Sequence, residues 1–156
     1  MTMTYAPTTQ ADRYRAQCIQ WMSRFEPALF VTFVFNATIS SAEAQRKLEA
    51  FHMIVDRKLI GRGLLRKPER RSTYIAAIEK PETNIHIHAL FKLTDKQRVV
   101  FGLIAAETWS SLAPGGSLDF QRVTYAAGAA AYITKCIRPE TSERLLLPPH
   151  LEKHRS

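Results

Sequence analysis

Residues 28–36 read ALFVTFVFN, a run rich in β-branched and aromatic side chains and apolar at nearly every position, odd and even alike. Successive side chains of a strand point to opposite faces. A strand with this composition has to be buried on both, which is the pattern of a strand at the centre of a sheet. The rest of the chain must supply that sheet's other strands and its cover. At 156 residues it has the size of one domain with one core, and 46% hydrophobic residues make it globular rather than disordered.

The flanking segments can be read by period and punctuation. ADRYRAQCIQWMSRF is a short helix stopped by Pro27. In SSAEAQRKLEAFHMIVDRKLIG, Ser40 and Glu43 form a capping-box pair. Ala44, Leu48, Phe51, Val55 and Leu59 recur at helical spacing, and Gly61 ends the helix. STYIAAIEK, the turn PETN and IHIHALFKL read as a hairpin. Thr94 and Gln97 open a second long helix that runs towards APGG. SLDFQRVTY is a more polar strand and AAGAAAYITKCI a final helix. From the central strand to the polar one the order is βαββαβ. It predicts an α+β fold with a ferredoxin-like core: an antiparallel sheet with helices on one face, the other face partly open, and a C-terminal helix added. Residues 1–12 and 139–156 are expected to be loose tails.

Within the hairpin, His86 and His88 are two apart in NIHIHALFKL and so share a face, while Ile85, Ile87 and Ala89 share the other. Two imidazoles about 7 Å apart on one strand can chelate one ion. An H-x-H pair is equally the mark of ordinary solvated or hydrogen-bonded strand histidines. Glu79 lies across the hairpin from the histidines, and a carboxylate beside two imidazoles suits Mg²⁺ or Mn²⁺ as well as zinc. Glu82, in the turn itself, is the weaker candidate. On the final helix, Tyr132 and Lys135 are three apart and share a flank, away from the arc of Ala126, Ala130, Ile133 and Ile137. Gly128, one turn earlier, is expected to clear space beside the Tyr132 ring.

These segments together resemble the HUH endonucleases, in particular the single-tyrosine initiators of rolling-circle replication. FVTFVFN resembles the family's first-strand motif, HIHAL its His-hydrophobic-His motif and AAYITKCI its Y-x-x-K motif, in the family's order across residues 29–137. The resemblance implies metal-dependent nicking and rejoining of single-stranded DNA. Tyr132 would be the nucleophile forming a 5′-phosphotyrosine link, Lys135 its basic companion, and His86, His88 and Glu79 the ligands of Mn²⁺ or Mg²⁺. The partner it implies is single-stranded DNA at a replication origin. The whole chain would be one nuclease domain. No Walker-type loop appears, so unwinding would fall to a separate helicase. The related Y1 transposases share the histidine motif and the small size. A non-catalytic nucleic-acid-binding regulator on the same fold is the other alternative.

Charge agrees with a polyanionic partner. The formal net charge is +8 and the pI about 9.8. RKLIGRGLLRKPERR, residues 57–71, holds seven Lys or Arg and one Glu. Arg62, Arg66, Lys67, Arg70 and Arg71 are the candidate phosphate contacts, with a solvated charged face as the alternative. Cys18 and Cys136 are too few for a cysteine-only zinc site and agree with a reducing compartment. No apolar run approaches a membrane span and the N-terminus lacks the form of a signal peptide, so the expected location is cytoplasmic.

Overall fold

The structure, a computed structural model, describes residues 9–63, 66–79, 84–135, 141 and 144–152. In chain order its elements are α1 (Gln10–Arg24), β1 (Leu29–Val34), α2 (Ser41–Ile60), a short 3-10 turn (Pro68–Arg70), β2 (Thr73–Glu79), β3 (His86–Lys92), α3 (Asp95–Leu112), β4 (Ser117–Arg122), α4 (Ala126–Thr134), β5 (Leu145–Leu146) and α5 (Pro149–Glu152). The fold is α+β. One five-stranded sheet has the order β4-β1-β3-β2-β5, and every neighbouring pair is antiparallel. Among the described residues no helix is long and apolar enough to cross a membrane.

The helix ends obey local chemistry. The Ser40 hydroxyl accepts from the Glu43 N–H at the start of α2, and Thr94 and Gln97 close a full capping box on α3. Gly61 ends α2 at φ +88°, a conformation that favours glycine. Between α3 and β4, Gly116 passes so close to β1 that a Cβ there would collide with the Val34 carbonyl oxygen. A side chain at this position would push β4 off its neighbour.

Strand alternation divides the interior in two. Val31 and Phe33 of β1, Tyr74, Ala76 and Ile78 of β2, and Ile87, Ala89 and Phe91 of β3 pack under α2 and α3, against Leu48, Phe51, Val55, Phe101 and Trp109. Phe33, Phe51 and Trp109 meet edge-on there, with ring centroids 4.8 to 6.0 Å apart. The opposite face, expected to be partly open, is half covered. Cys18 and Met22 of α1 and Ala130 and Ile133 of α4 form a second, smaller core on Ile75, Ala77 and Leu90. Ile75 and Ala77 of β2, Leu90 of β3 and Phe30 of β1 are the apolar side chains on this half of the face, so it needs a cover, and the two flanking helices supply it. The expected loose tail is also corrected. Leu145 and Leu146 pair with Ala77 and Ala76 along the outer edge of β2, and Leu146 is buried. An uncapped β2 edge would leave a row of peptide groups without partners. At the other end of the chain α1 begins at Gln10, so the last three residues of the expected N-terminal tail are helical.

A buried polar network ties α2 to the start of β2. The Asp56 carboxylate, with no exposed surface, accepts from the Ser72 hydroxyl and from Arg71 Nε at 2.9 Å, and His52 Nε2, bonded to the Ser72 carbonyl at 2.9 Å, lies 3.1 Å from that carboxylate. Arg71 Nη2 donates to His52 Nδ1 at 3.1 Å, which puts the ring proton on Nε2. Burial pushes the Asp56 carboxyl up, but the hydrogen bonds from His52, Ser72 and Arg71 outweigh it and hold the group below its ordinary value. A depressed carboxyl contributes stability that is complete above its unfolded value, near 4, and is lost as pH falls through the folded one. Asp56→Ala is therefore expected to cost about 3–5 kcal/mol at neutral pH, the loss typical of breaking a buried ion pair. Its deficit should shrink as pH drops below about 4. Urea denaturation of both chains across that range checks this, and a variant as stable as the parent would show that the network carries no weight.

Candidate functional site

The site is assembled by the even-numbered side of β3. Register sets Glu79 opposite His86, Ala77 opposite His88 and, on the other side, Thr32 opposite His88. Paired residues of an antiparallel sheet share a face. Glu79, His86, His88 and Thr32 therefore converge on the face that α1 and α4 only half cover. One ligand atom from each of Glu79, His86 and His88 lies within 4.8 Å of the others, and the three together can hold a metal ion. His86 Nε2 is buried and has no hydrogen-bond partner among the described residues. An imidazole nitrogen taken from water and given nothing in return is unfavourable, and an ion between it and Glu79 would satisfy it. The donor set thus fits a cation.

His88 is held from both sides. Nε2 donates to Glu79 Oε2 and Nδ1 lies 3.1 Å from the Thr32 hydroxyl. A hydroxyl can donate or accept, so Thr32 supports either tautomer of the ring. Burial, first, and then the nearby Lys135 and His86 push the His88 imidazole below its ordinary value, against the pull of Glu79. A ring kept neutral is the form that ligates. Glu79 also serves a second partner, since Lys135 Nζ lies 3.2 Å from Oε1. Its burial raises the carboxyl, and the hydrogen bonds from His88 and Lys135 more than reverse that, leaving it below the ordinary value. Lys135 in turn is raised: its slight burial works downward, and Glu79 and then Tyr132 outweigh it.

Tyr132 stands over this group. Its ring centroid is 5.3 Å from that of His88 and 5.6 Å from that of Phe30, both edge-on. Lys135 Nζ is 3.9 Å from the Tyr132 ring centroid. Tyr132 remains 46% exposed even so, on a helix whose neighbouring positions Ala130 and Ile133 are buried. The shared flank expected of Tyr132 and Lys135 is present. The expected role of Gly128 is not: a Cβ there would meet Tyr125 Cδ1 at 2.7 Å, so this glycine makes room for the Tyr125 ring and not for Tyr132.

The structure brings Glu79, His86, His88, Tyr132 and Lys135 together and leaves the five loop cations elsewhere. Arg62, Arg66, Lys67 and Arg70 are exposed around the 3-10 turn, beyond the far end of β2, about 20 Å along the strand from Glu79. Arg71 differs from them, being engaged with Asp56 and His52. Glu82 and Cys136 lie outside the described residues. Thr32 was not identified in the sequence. The signal was there, since it is the one hydroxyl inside LFVTFV and sits at an even position of that strand. Models of known protein families, curated proteins and solved structures contain no match to this chain.

Two substitutions rank the ligands. Thr32→Val removes only an outer partner of His88 and should weaken binding of a divalent ion about 10- to 100-fold. His86→Ala deletes a ligand and should weaken it further. Calorimetric titration with Mn²⁺ decides, and equal binding by parent and His86→Ala would remove the site.

Proposed function

We propose that this chain is a metal-dependent endonuclease that cuts and rejoins single-stranded DNA through Tyr132. One observation carries the reading: an exposed tyrosine, a lysine and a two-histidine, one-carboxylate group occupy a single surface, with Lys135 in contact with both Tyr132 and Glu79. A tyrosine over a cation-holding group is an arrangement for attacking a phosphodiester, whose charge must be offset before an oxygen nucleophile can approach. The strand order β4-β1-β3-β2 supports reading the core as ferredoxin-like. It is the order that two interleaved β-α-β crossovers produce.

Glu79, His86 and His88 would hold the ion, taken here as Mn²⁺ or Mg²⁺, which when bound would supply Lewis-acid polarisation of the scissile phosphate. Tyr132 Oη attacks the phosphorus, and the bond to the 3′ oxygen of the preceding nucleotide breaks. The 5′ phosphate is then esterified to the tyrosine. The proton lost by the phenol balances the one gained by the departing 3′ hydroxyl. One phosphodiester is exchanged for another, so the reverse attack rejoins strands without a nucleotide cofactor. Lys135 offsets the charge that develops on Oη, and Glu79 keeps the ammonium in place. The basic excess of the chain provides attraction for the polyanion. This chemistry suits initiation of rolling-circle replication at an origin in the cytoplasm, with duplex opening left to a separate helicase.

Tyr132→Phe removes one oxygen at a half-exposed position and should leave folding and DNA binding intact while abolishing both nicking and the covalent adduct. His88→Ala, or excess chelator, should lower nicking by on the order of 10² or more. Incubation with pooled single-stranded oligonucleotides and Mn²⁺, followed by peptide mapping of any adduct, is the direct test. An adduct that persists in Tyr132→Phe would exclude this mechanism. The exposed loop cations can be tested apart from the chemistry. Alanine at Arg62, Arg66, Lys67 and Arg70, with Arg71 spared because it holds Asp56, should weaken binding. Each cation–phosphate pairing removed in this way should flatten the log–log salt slope by about 0.7. An unchanged slope would make the loop a solvated face.

A further inference from the structure

Tyr125 has no part in the reaction above, yet it is the most exposed aromatic residue described, with 71% of its surface in solvent. Its ring is nevertheless seated. It lies against the α-carbon of Gly128, where any Cβ would come within 2.7 Å of Cδ1. An aromatic ring held in place and left in water is a surface prepared for another flat group.

The surroundings say which group. Tyr125 lines a groove of about 560 Å³ between α4 and the β1–β4 edge, together with Phe30, Thr32, Asp119, Gln121 and Tyr132. The groove is continuous with the site, because Tyr132 and Thr32 belong to both. Asp119 pairs with Thr32 and Gln121 with Phe30, so both point to the same sheet face as His88. Neither makes a side-chain hydrogen bond to another described residue. A carboxylate in the groove repels a phosphate but accepts hydrogen bonds from the N–H groups of a base edge, and a glutamine can both donate and accept. Arg122, the one cation of the lining, is left for the backbone.

We propose that Tyr125 is a stacking platform for a nucleobase next to the scissile nucleotide, with the edge of that base turned towards Asp119 and Gln121. The assignment rests on the single-strand reading given above. Tyr125 precedes Tyr132 by two helical turns, about 10 Å along α4. The stacked base therefore belongs to a neighbour of the nucleotide that is cut. Gly128 acts as a positioning residue, since the space a Cβ would fill there is taken by the Tyr125 ring.

The test uses the full chain carrying Tyr132→Phe, in Mn²⁺, and oligothymidylates in which a single 2-aminopurine is moved one position at a time. Stacking on a tyrosine should change the probe's fluorescence at one position. Tyr125→Ala should abolish that change and weaken binding roughly five- to 150-fold, the range of single base–aromatic stacks. Tyr125→Phe should keep both. Gly128→Ala should lose the fluorescence change with α4 intact, because alanine favours helix. In chains retaining Tyr132, Tyr125→Ala should raise KM for nicking more than it lowers kcat. Unchanged fluorescence and affinity in Tyr125→Ala would overturn the platform and leave the nicking reading to its adduct. Loss of the change in Tyr125→Ala, with no adduct from any chain, would uphold the platform and remove the nuclease. No single-strand binding at all would overturn both.

Discussion

β3 is hydrogen-bonded along both edges, to β1 and to β2, and a slip of one residue against either neighbour would turn its histidines into the aromatic core and its isoleucine to the outside. Two independent demands hold the register. Ile87, Ala89 and Phe91 must fill the space under α2 and α3, where all three have no exposed surface. Across the strand, Leu90 must meet the small core beneath α1 and α4. His86 and His88 occupy what these apolar positions leave over on the second face. The geometry of the candidate metal group is therefore a by-product of ordinary core packing, and only Thr32 and Glu79 had to be added to it from neighbouring strands.

Glu79 joins the two halves of the site. One carboxylate oxygen faces His88 and the other Lys135, so the group that can hold an ion and the residue beside the tyrosine share one negative charge. A cation arriving between Glu79 and the histidines would draw that charge towards itself and loosen its hold on Lys135. In the proposed reaction Glu79 would still keep the ammonium beside Tyr132, though less tightly once an ion shared its charge. The contact with Glu79 leads the rise of Lys135, and it adds to a lowering of Glu79 that His88 leads.

Much of this was legible in the sequence because it follows from period alone. The two-residue spacing of His86 and His88, the position of Glu79 across a hairpin, and the three-residue spacing of Tyr132 and Lys135 are local facts that survive any tertiary arrangement. What escaped depends on distance through space. Arg71 looks like its neighbours in a basic run, and only the fold shows that buried Asp56, fifteen residues away, claims it. Gly128 lies between two tyrosines, and nothing in the local pattern tells which ring it accommodates. The charged, proline-rich segment after residue 138 gave no periodic signal. It takes two residues, Leu145 and Leu146, to cap an edge, too few to register as a pattern.

The two cores are unequal, and the inequality bears on function. The face under α2 and α3 holds Trp109, Phe33, Phe51, Phe91 and Phe101, all fully buried. The face under α1 and α4 holds a cysteine, a methionine, two alanines, two isoleucines and a leucine. α4 has nine residues, with alanine at four of the first five, and a helix of that length is marginal without packing. Its small side chains let it lie close to the sheet, but the apolar area it buries is modest, so it draws support from α1, where Arg15 Nη2 donates to the Ala131 carbonyl at 3.3 Å. α1 thereby helps set where Tyr132 stands, though it supplies none of the residues grouped around Glu79. The candidate ligand groups sit on the sheet and the tyrosine on the more lightly packed layer, so in the proposed reaction the strands would hold the donors still and the helix would be the part that yields at lowest cost.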